Sequence, residues 1–167
     1  MTNHLPANFS SRSIGGYLGA LANGSPTPGG GSAAGLAGAL GCSLGEMVCQ
    51  LSLAKQENDT LASLATKFAE MTEHLIALAA RDELAFGSYR SAVAMPRSND
   101  KEKAARLAAI ELALVGAADV PLEACGVGIA AIGYLSQTAV LGTAHALGDL
   151  MTGGFLLQAM VLGSLEN

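Results

Sequence analysis

The segment Ser25-Pro26-Thr27-Pro28-Gly29-Gly30-Gly31-Ser32 constrains this chain more than any other. Two prolines fix φ near −65° and bar a helix before Pro28, and three glycines leave backbone amides uncovered by side chains. A long small-residue run begins at once with Ala33, Ala34 and Gly35, and it holds no proline and no period-2 alternation as far as Lys55. It therefore predicts a helix whose first turn lies at or near Gly29–Ser32. There the backbone N–H groups lack partners and the helix dipole is positive, which suits an anion; a plain turn followed by an N-cap accounts for the same residues. The segment is not a P-loop, because it lacks the Gly-Lys-Ser/Thr ending. Nor is it a dinucleotide fingerprint, because no strand precedes it.

The remaining pattern is helical throughout. Ser10 or Ser11 can cap a short first helix carrying Ile14, Tyr17, Leu18 and Leu21, ended by Asn23-Gly24, after a loose arm over Met1–Phe9. The second helix, about residues 31–54, carries glycine or alanine every three or four residues, a face that admits close approach of another helix, and is expected to be central. A long third helix from about Asp59 to Met95 shows a stripe of Leu61, Leu64, Phe68, Met71, Leu75, Leu78, Asp82, Ala85, Tyr89 and Ala92. Asp82 is its anomaly: an acid on an apolar stripe is either matched by Arg81 or Arg90 or held in a polar site for chemistry. A fourth helix is capped by Ser98-Asn99-Asp100, buries Leu107, Ile110, Leu114 and Val115, and is broken or kinked at Pro121. After residues 143–148 a last helix starts near Asp149, which is placed to cap it. His74 and Glu46 read as surface groups.

With 167 residues, no linker and no charge block, the chain reads as a single domain over residues 1–167. Half of its residues are hydrophobic and 14% are charged, so it either enters a membrane or buries extra surface against a partner subunit. The second reading is preferred. Its membrane-length stretches are dominated by Gly, Ala, Ser and Thr, and it has no tryptophan for an interfacial belt. A net charge of −5 without a basic stripe argues against nucleic acid. Three cysteines, Cys42, Cys49 and Cys125, lie in apolar surroundings without metal spacing, as reduced thiols of a cytoplasmic protein would. No leader is apparent over the first ten residues, which again implies the cytoplasm.

Gly24–Gly41, with its Pro-Thr-Pro-Gly-Gly-Gly-Ser-Ala-Ala core, resembles the signature of the cyclodeaminase/cyclohydrolase family of folate enzymes. Met47-Val48-Cys49 with Lys55, Asp82 with Ala85-Phe86, Met95-Pro96-Arg97, Val120-Pro121-Leu122 and Gly148-Asp149 follow in the family's order. The resemblance implies an all-α bundle of about five to six helices with one long central helix, packed as a homodimer with its site near the subunit boundary. It also implies that the chain carries straight on after Pro121 into another helix, to about Val140. The implied activity is methenyltetrahydrofolate cyclohydrolase, in which water adds to the methenyl carbon and the ring opens to formyl-tetrahydrofolate. The alternatives are a formiminotetrahydrofolate cyclodeaminase that releases ammonia, and a non-catalytic folate-binding helical dimer. The hydrolase is favoured because no formiminotransferase domain accompanies this one.

Asp149 and Asp82 are the implied proton-transfer and cation-stabilising groups. Thr27, Pro28, Gly29, Gly30, Gly31 and Ser32, with Lys55, are the implied substrate-binding residues, the lysine facing the acidic tail of a folate. No metal and no permanently bound cofactor is expected beyond the tetrahydrofolate substrate. Two departures bear on affinity: Lys55 is followed by Gln56, Glu57 and Asn58 in place of a basic, tyrosine-containing run, and the sequence stops at Asn167, where relatives usually continue.

Overall fold

The computed structural model describes residues 9–167. The expected arm, Phe9 excepted, and most of the first ten residues read for a leader lie outside the described residues; Phe9, at the arm's end, is buried. Five helices follow in order: α1 (Ile14–Ala22), α2 (Gly30–Leu53), α3 (Asp59–Val93), α4 (Asp100–Leu141) and, after a single 3₁₀ turn at Ala144–Ala146, α5 (Leu147–Leu165). The helix starts follow from short polar side chains that accept otherwise unpaired amides. Ser13 receives Gly16 N–H at 3.1 Å, Asn58 receives Leu61 N–H at 3.0 Å and Asn99 receives Glu102 N–H at 2.9 Å. The first cap is thus Ser13, three residues beyond Ser10, and Gly24 ends that helix's exit with φ +79°.

Helix α2 is central and packs against α3, α4 and α5. Its small residues permit this. A Cβ at Gly35 would press on Ala79 and the Leu75 carbonyl, one at Gly41 on the Gly153 carbonyl and Leu157, and one at Gly45 on the Phe68 ring. The stripe on α3 supplies the other side of the core: Leu61, Leu64, Phe68, Leu75 and Leu78 are all buried. Leu135, Leu157 and Met160 close it from α4 and α5. Alongside, Tyr17 of α1 packs with Phe9, Ala79 and Ala80 in a smaller cluster.

Two expectations are corrected. Pro121 does not divide α4, which runs unbroken from Asp100 to Leu141 instead of passing into another helix after the proline. Packing of Val120 and Ala124 against the bundle on either side of the proline outweighs the one lost hydrogen bond. The first half of α4 also lacks the buried face expected of it. Leu107, Leu114 and Val115 are 58%, 51% and 63% exposed, and Val120 is the first buried residue of the helix. The reason is position. Gly31 of α2 meets Asp82, and Gly30 meets Asn167 just beyond α5, so α2 begins and α5 ends at this level. Beyond it α3 and α4 continue as a two-helix arm, linked by Arg106 Nε to the Val93 carbonyl at 3.0 Å, with no third helix among the described residues to cover them.

Candidate functional site

The glycine segment meets Asp82 at the base of this arm. Gly29 caps α2 in an extended conformation without any side-chain bond, and the Thr27–Pro28 peptide is cis. The helix cap comes instead from α3: the Ser32 N–H donates to the Asp82 carboxylate. A Cβ at Gly31 would overlap that carboxylate, so glycine is required there for close approach. The negative group stands at the positive end of the α2 dipole, and the anion that such a terminus favours is supplied by the chain itself.

Above this junction lies a cavity of about 330 Å³, walled by Thr27 and Gly30 of the segment, Asp82, Phe86 and Tyr89 of α3, and Pro121 of α4. Ala117 also lines it. As Pro121 has no N–H, the Ala117 carbonyl four residues earlier lacks its helical donor. The cavity thus offers two aromatic side chains and a set of acceptors, an environment suited to a flat, electron-poor ring with N–H groups.

Asp82 has no cationic partner here. Arg81, a sequence candidate for it, is bound to Glu123 at 2.6 Å, and among the described residues no cation lies within ion-pair distance of Asp82. Burial pushes its proton affinity above the usual carboxylate range; the Ser32 N–H opposes this and the neighbouring Glu83 charge adds to it. A half-buried carboxylate that takes up a proton more readily than usual is a fit group for acid/base work, and its negative charge complements a cation.

Sequence reasoning missed a second layer. Arg12 forks onto Glu83 at 3.0 and 3.2 Å, Ser32 Oγ donates to Glu83 Oε1 at 3.4 Å, and Tyr17 lies 3.0 Å from Ser32 Oγ. Only the Asp-Glu doublet hinted at it. The partners are 51 or more residues distant from Glu83, and no local period reports such a pairing.

Lys55 and Asp149 lie elsewhere. Lys55 Nζ donates to Thr143 Oγ1 at 3.1 Å, and Thr143 N–H donates to Ser52 Oγ at 2.9 Å, which ties the α4–α5 connection to the C-terminal end of α2. Asp149 is exposed in the first turn of α5, and the cap of that helix is Ala146. It is therefore not the N-cap. Since α2 has 24 residues, its own two ends stand about 36 Å apart at 1.5 Å per residue. The structure brings together Thr27, Gly29, Gly30, Gly31, Ser32 and Asp82, with Pro28 in the same turn, and separates them from Lys55 and Asp149. Among the described residues no three His, Cys, Asp or Glu side chains gather as metal ligands would.

Similar proteins fit this architecture. Residues 13–167 match the formiminotransferase-cyclodeaminase family along nearly their whole length. The methenyltetrahydrofolate cyclohydrolase of Methylorubrum extorquens is 36% identical over 137 residues, covering 80% of this chain and 66% of that protein. The formimidoyltransferase-cyclodeaminase of Gallus gallus is 30% identical over 161 residues, covering 92% of this chain and 29% of that protein. This chain thus spans just under two thirds of the first relative and less than a third of the second. The crystal structure of formiminotetrahydrofolate cyclodeaminase from Thermotoga maritima superposes with a TM-score of 0.78 at 25% identity, covering 94% of this chain and 80% of that one. Together with the helical fold and the glycine segment, these matches establish that the chain belongs to the formiminotransferase-cyclodeaminase family.

Proposed function

We propose that this chain hydrolyses methenyl-tetrahydrofolate, with Asp82 as a proton-handling group. The observation that carries the reading is an Asp82 carboxylate without a cationic partner among the described residues, set at the wall of an aromatic-lined cavity beside the glycine segment. A cationic methenyl carbon between two nitrogens is drawn to such a charge. Water adds its oxygen to that carbon as the carboxylate takes a proton. One carbon–nitrogen bond then breaks, the proton passes to the released nitrogen, and the formyl product leaves with net release of one proton. General acid/base assistance of this kind contributes about 10²–10⁴-fold. Similarity to the Methylorubrum extorquens cyclohydrolase favours water addition over ammonia release. Cyclodeamination of formimino-tetrahydrofolate acts at the same carbon and is the second reading, favoured by the Thermotoga maritima likeness.

The same reading has the protein in the cytoplasm as a homodimer without a permanently bound cofactor, with Lys55 of a second copy toward the acidic tail of the folate. Asp149 joins Asp82 only if a second copy brings it there, since one chain holds them about 20 Å apart along α2. A large uncharged surface supports such a partner: Ile129, Val140, Met151, Phe155 and Leu162 of α4 and α5 are each more than half exposed. Three helical segments, Gly30–Leu53, Asp100–Leu141 and Ala144–Leu165, are long and apolar enough to cross a membrane. The exposed Gln137, Thr152 and Gln158 on α4 and α5 suit a protein partner better than lipid.

The test follows the absorbance of methenyl-tetrahydrofolate with detergent-free protein, corrected for spontaneous hydrolysis. Acceleration that Asp82→Asn and Asp149→Asn each abolish supports the hydrolase. Release of ammonia from formimino-tetrahydrofolate without that acceleration supports the deaminase, and turnover of neither rejects both.

A further inference from the structure

The two adjacent acids Asp82 and Glu83 grip the two donors of one residue. The Ser32 N–H donates to Asp82, and its hydroxyl donates to Glu83 at 3.4 Å. Ser32 is fully buried, so neither bond is shared with bulk water. With its proton committed to Glu83, the Ser32 oxygen accepts from the Tyr17 hydroxyl at 3.0 Å. The Tyr17 phenol stays protonated for that task, since burial first of all raises its proton affinity. Glu83 is in turn forked by the Arg12 guanidinium, and its side chain is only 15% exposed. The acids differ in one respect: Glu83 has its countercharge and Asp82 has none among the described residues.

We propose that Glu83 and Arg12 are positioning residues for Asp82: the Arg12-clamped Glu83 carboxylate holds Ser32, and through it the α2 terminus, against Asp82, while Arg12 screens Glu83 so that Asp82 is the carboxylate free to exchange a proton. The proposal rests on the reading of Asp82 as the proton-handling group. Neither Glu83 nor Arg12 lines the cavity, so neither touches the substrate. Other charges near Asp82 are accounted for. Arg81 on α3 and Glu123 on α4 bind one another, and Asp119 on α4 and Glu166 after α5 are exposed. Among the ionisable side chains of the described residues Glu83 is the one whose charge acts on Asp82, and α2 presents it with the Ser32 N–H alone.

The experiment compares kcat–pH profiles of the full chain with those of four variants on methenyl-tetrahydrofolate. Glu83→Gln removes a neighbouring negative charge and moves the Asp82 inflection down by about half to one pH unit; Arg12→Gln exposes that charge and moves it up by a similar amount. Arg12→Lys keeps the charge and returns the inflection toward the parent position. Tyr17→Phe loosens Ser32 without altering charge, so kcat falls about three- to tenfold with the inflection unmoved. KM stays within about twofold in all four, because the cavity wall is untouched. If Arg12→Gln does not fold, the downward shift of Glu83→Gln is read against the parent inflection that Arg12→Lys keeps, and the carboxyl carbon of Asp82 is titrated directly by NMR in both.

Full activity in Asp82→Asn overturns the assignment of Asp82 and this proposal with it. An inactive Asp82→Asn beside Glu83→Gln and Arg12→Gln profiles that keep the parent inflection overturns the positioning role alone. A uniform fall in kcat at every pH in Glu83→Gln and Arg12→Gln, as a merely structural role would give, does the same.

Discussion

Mixing two inactive variants tests the arrangement of the site across a pair of chains. Asp82 meets Gly31 at the start of α2, while Gly153 of α5 meets Gly41 with Asp149 one turn further along, so the two carboxylates stand about 20 Å apart along α2 in one chain. No proton transfer spans that length. If both serve one carbon, a two-fold dimer holds two sites, each with Asp82 from one chain and Asp149 from the other. In a hybrid of Asp82→Asn with Asp149→Asn, one site loses both carboxylates and the other keeps both. Random pairing makes half of all dimers hybrids, so about a quarter of parental activity returns from two inactive parents. Differently tagged variants are co-expressed, the doubly tagged species is isolated, and its methenyl-tetrahydrofolate hydrolysis is compared with that of each parent. The isolated hybrid is expected at about half of parental activity per dimer. A hybrid as inactive as its parents, with parental fold and a proven dimeric mass, refutes the shared site.

Three further outcomes follow from the packing and the ionisable groups. Gly41→Ala pushes a methyl to 2.8 Å from both the Gly153 carbonyl and Leu157, which costs about 1–3 kcal/mol; Gly19→Ala meets open space and gains about 0.5–1 kcal/mol. Urea titration distinguishes them, and equal midpoints would contradict the close α2–α5 contact. Asp82 binds its proton more tightly in the native chain than unfolded, so its contribution to stability is present below the ordinary carboxylate range and is lost as pH rises through the raised native value. Asp82→Asn therefore raises the thermal midpoint at neutral pH, and calorimetry should show the gap closing toward acid; a gap independent of pH contradicts the burial. Cys42, fully buried, is pushed up to about 12 by that burial, and Cys49 is raised by the same cause against the pull of Thr138. Timed alkylation read by mass spectrometry should leave both unlabelled until the chain unfolds, and rapid native labelling of Cys42 would place it outside the core.

Local chemistry made much of the fold legible. The α3 stripe is periodic because one face of that helix is buried along the bundle, so its spacing alone names Leu61 through Leu78 as core. The glycine segment announced a helix start and a close approach, since only a residue without a side chain tolerates what lies against Gly31. Asp82 was conspicuous as an acid in an apolar stripe. The same logic failed on the arm: Leu107 and Leu114 have helical spacing, but a period says that a face is apolar and not that another element covers it. It failed at Asp149 as well, whose cap role depended on a helix start that the structure puts at Leu147.

Pairing at a distance had no local trace. Nothing near Arg81 shows that it binds Glu123 rather than Asp82, and nothing near Glu83 shows that Arg12 will reach it. Helix existence, the buried stripe and the chemical types available for a site follow from short-range sterics and periodicity, which the order of residues carries directly. Which carboxylate caps α2, which is neutralised, and how far Asp149 stands from Asp82 depend on where α3 and α5 pass α2, a matter of side-chain volume across the whole bundle.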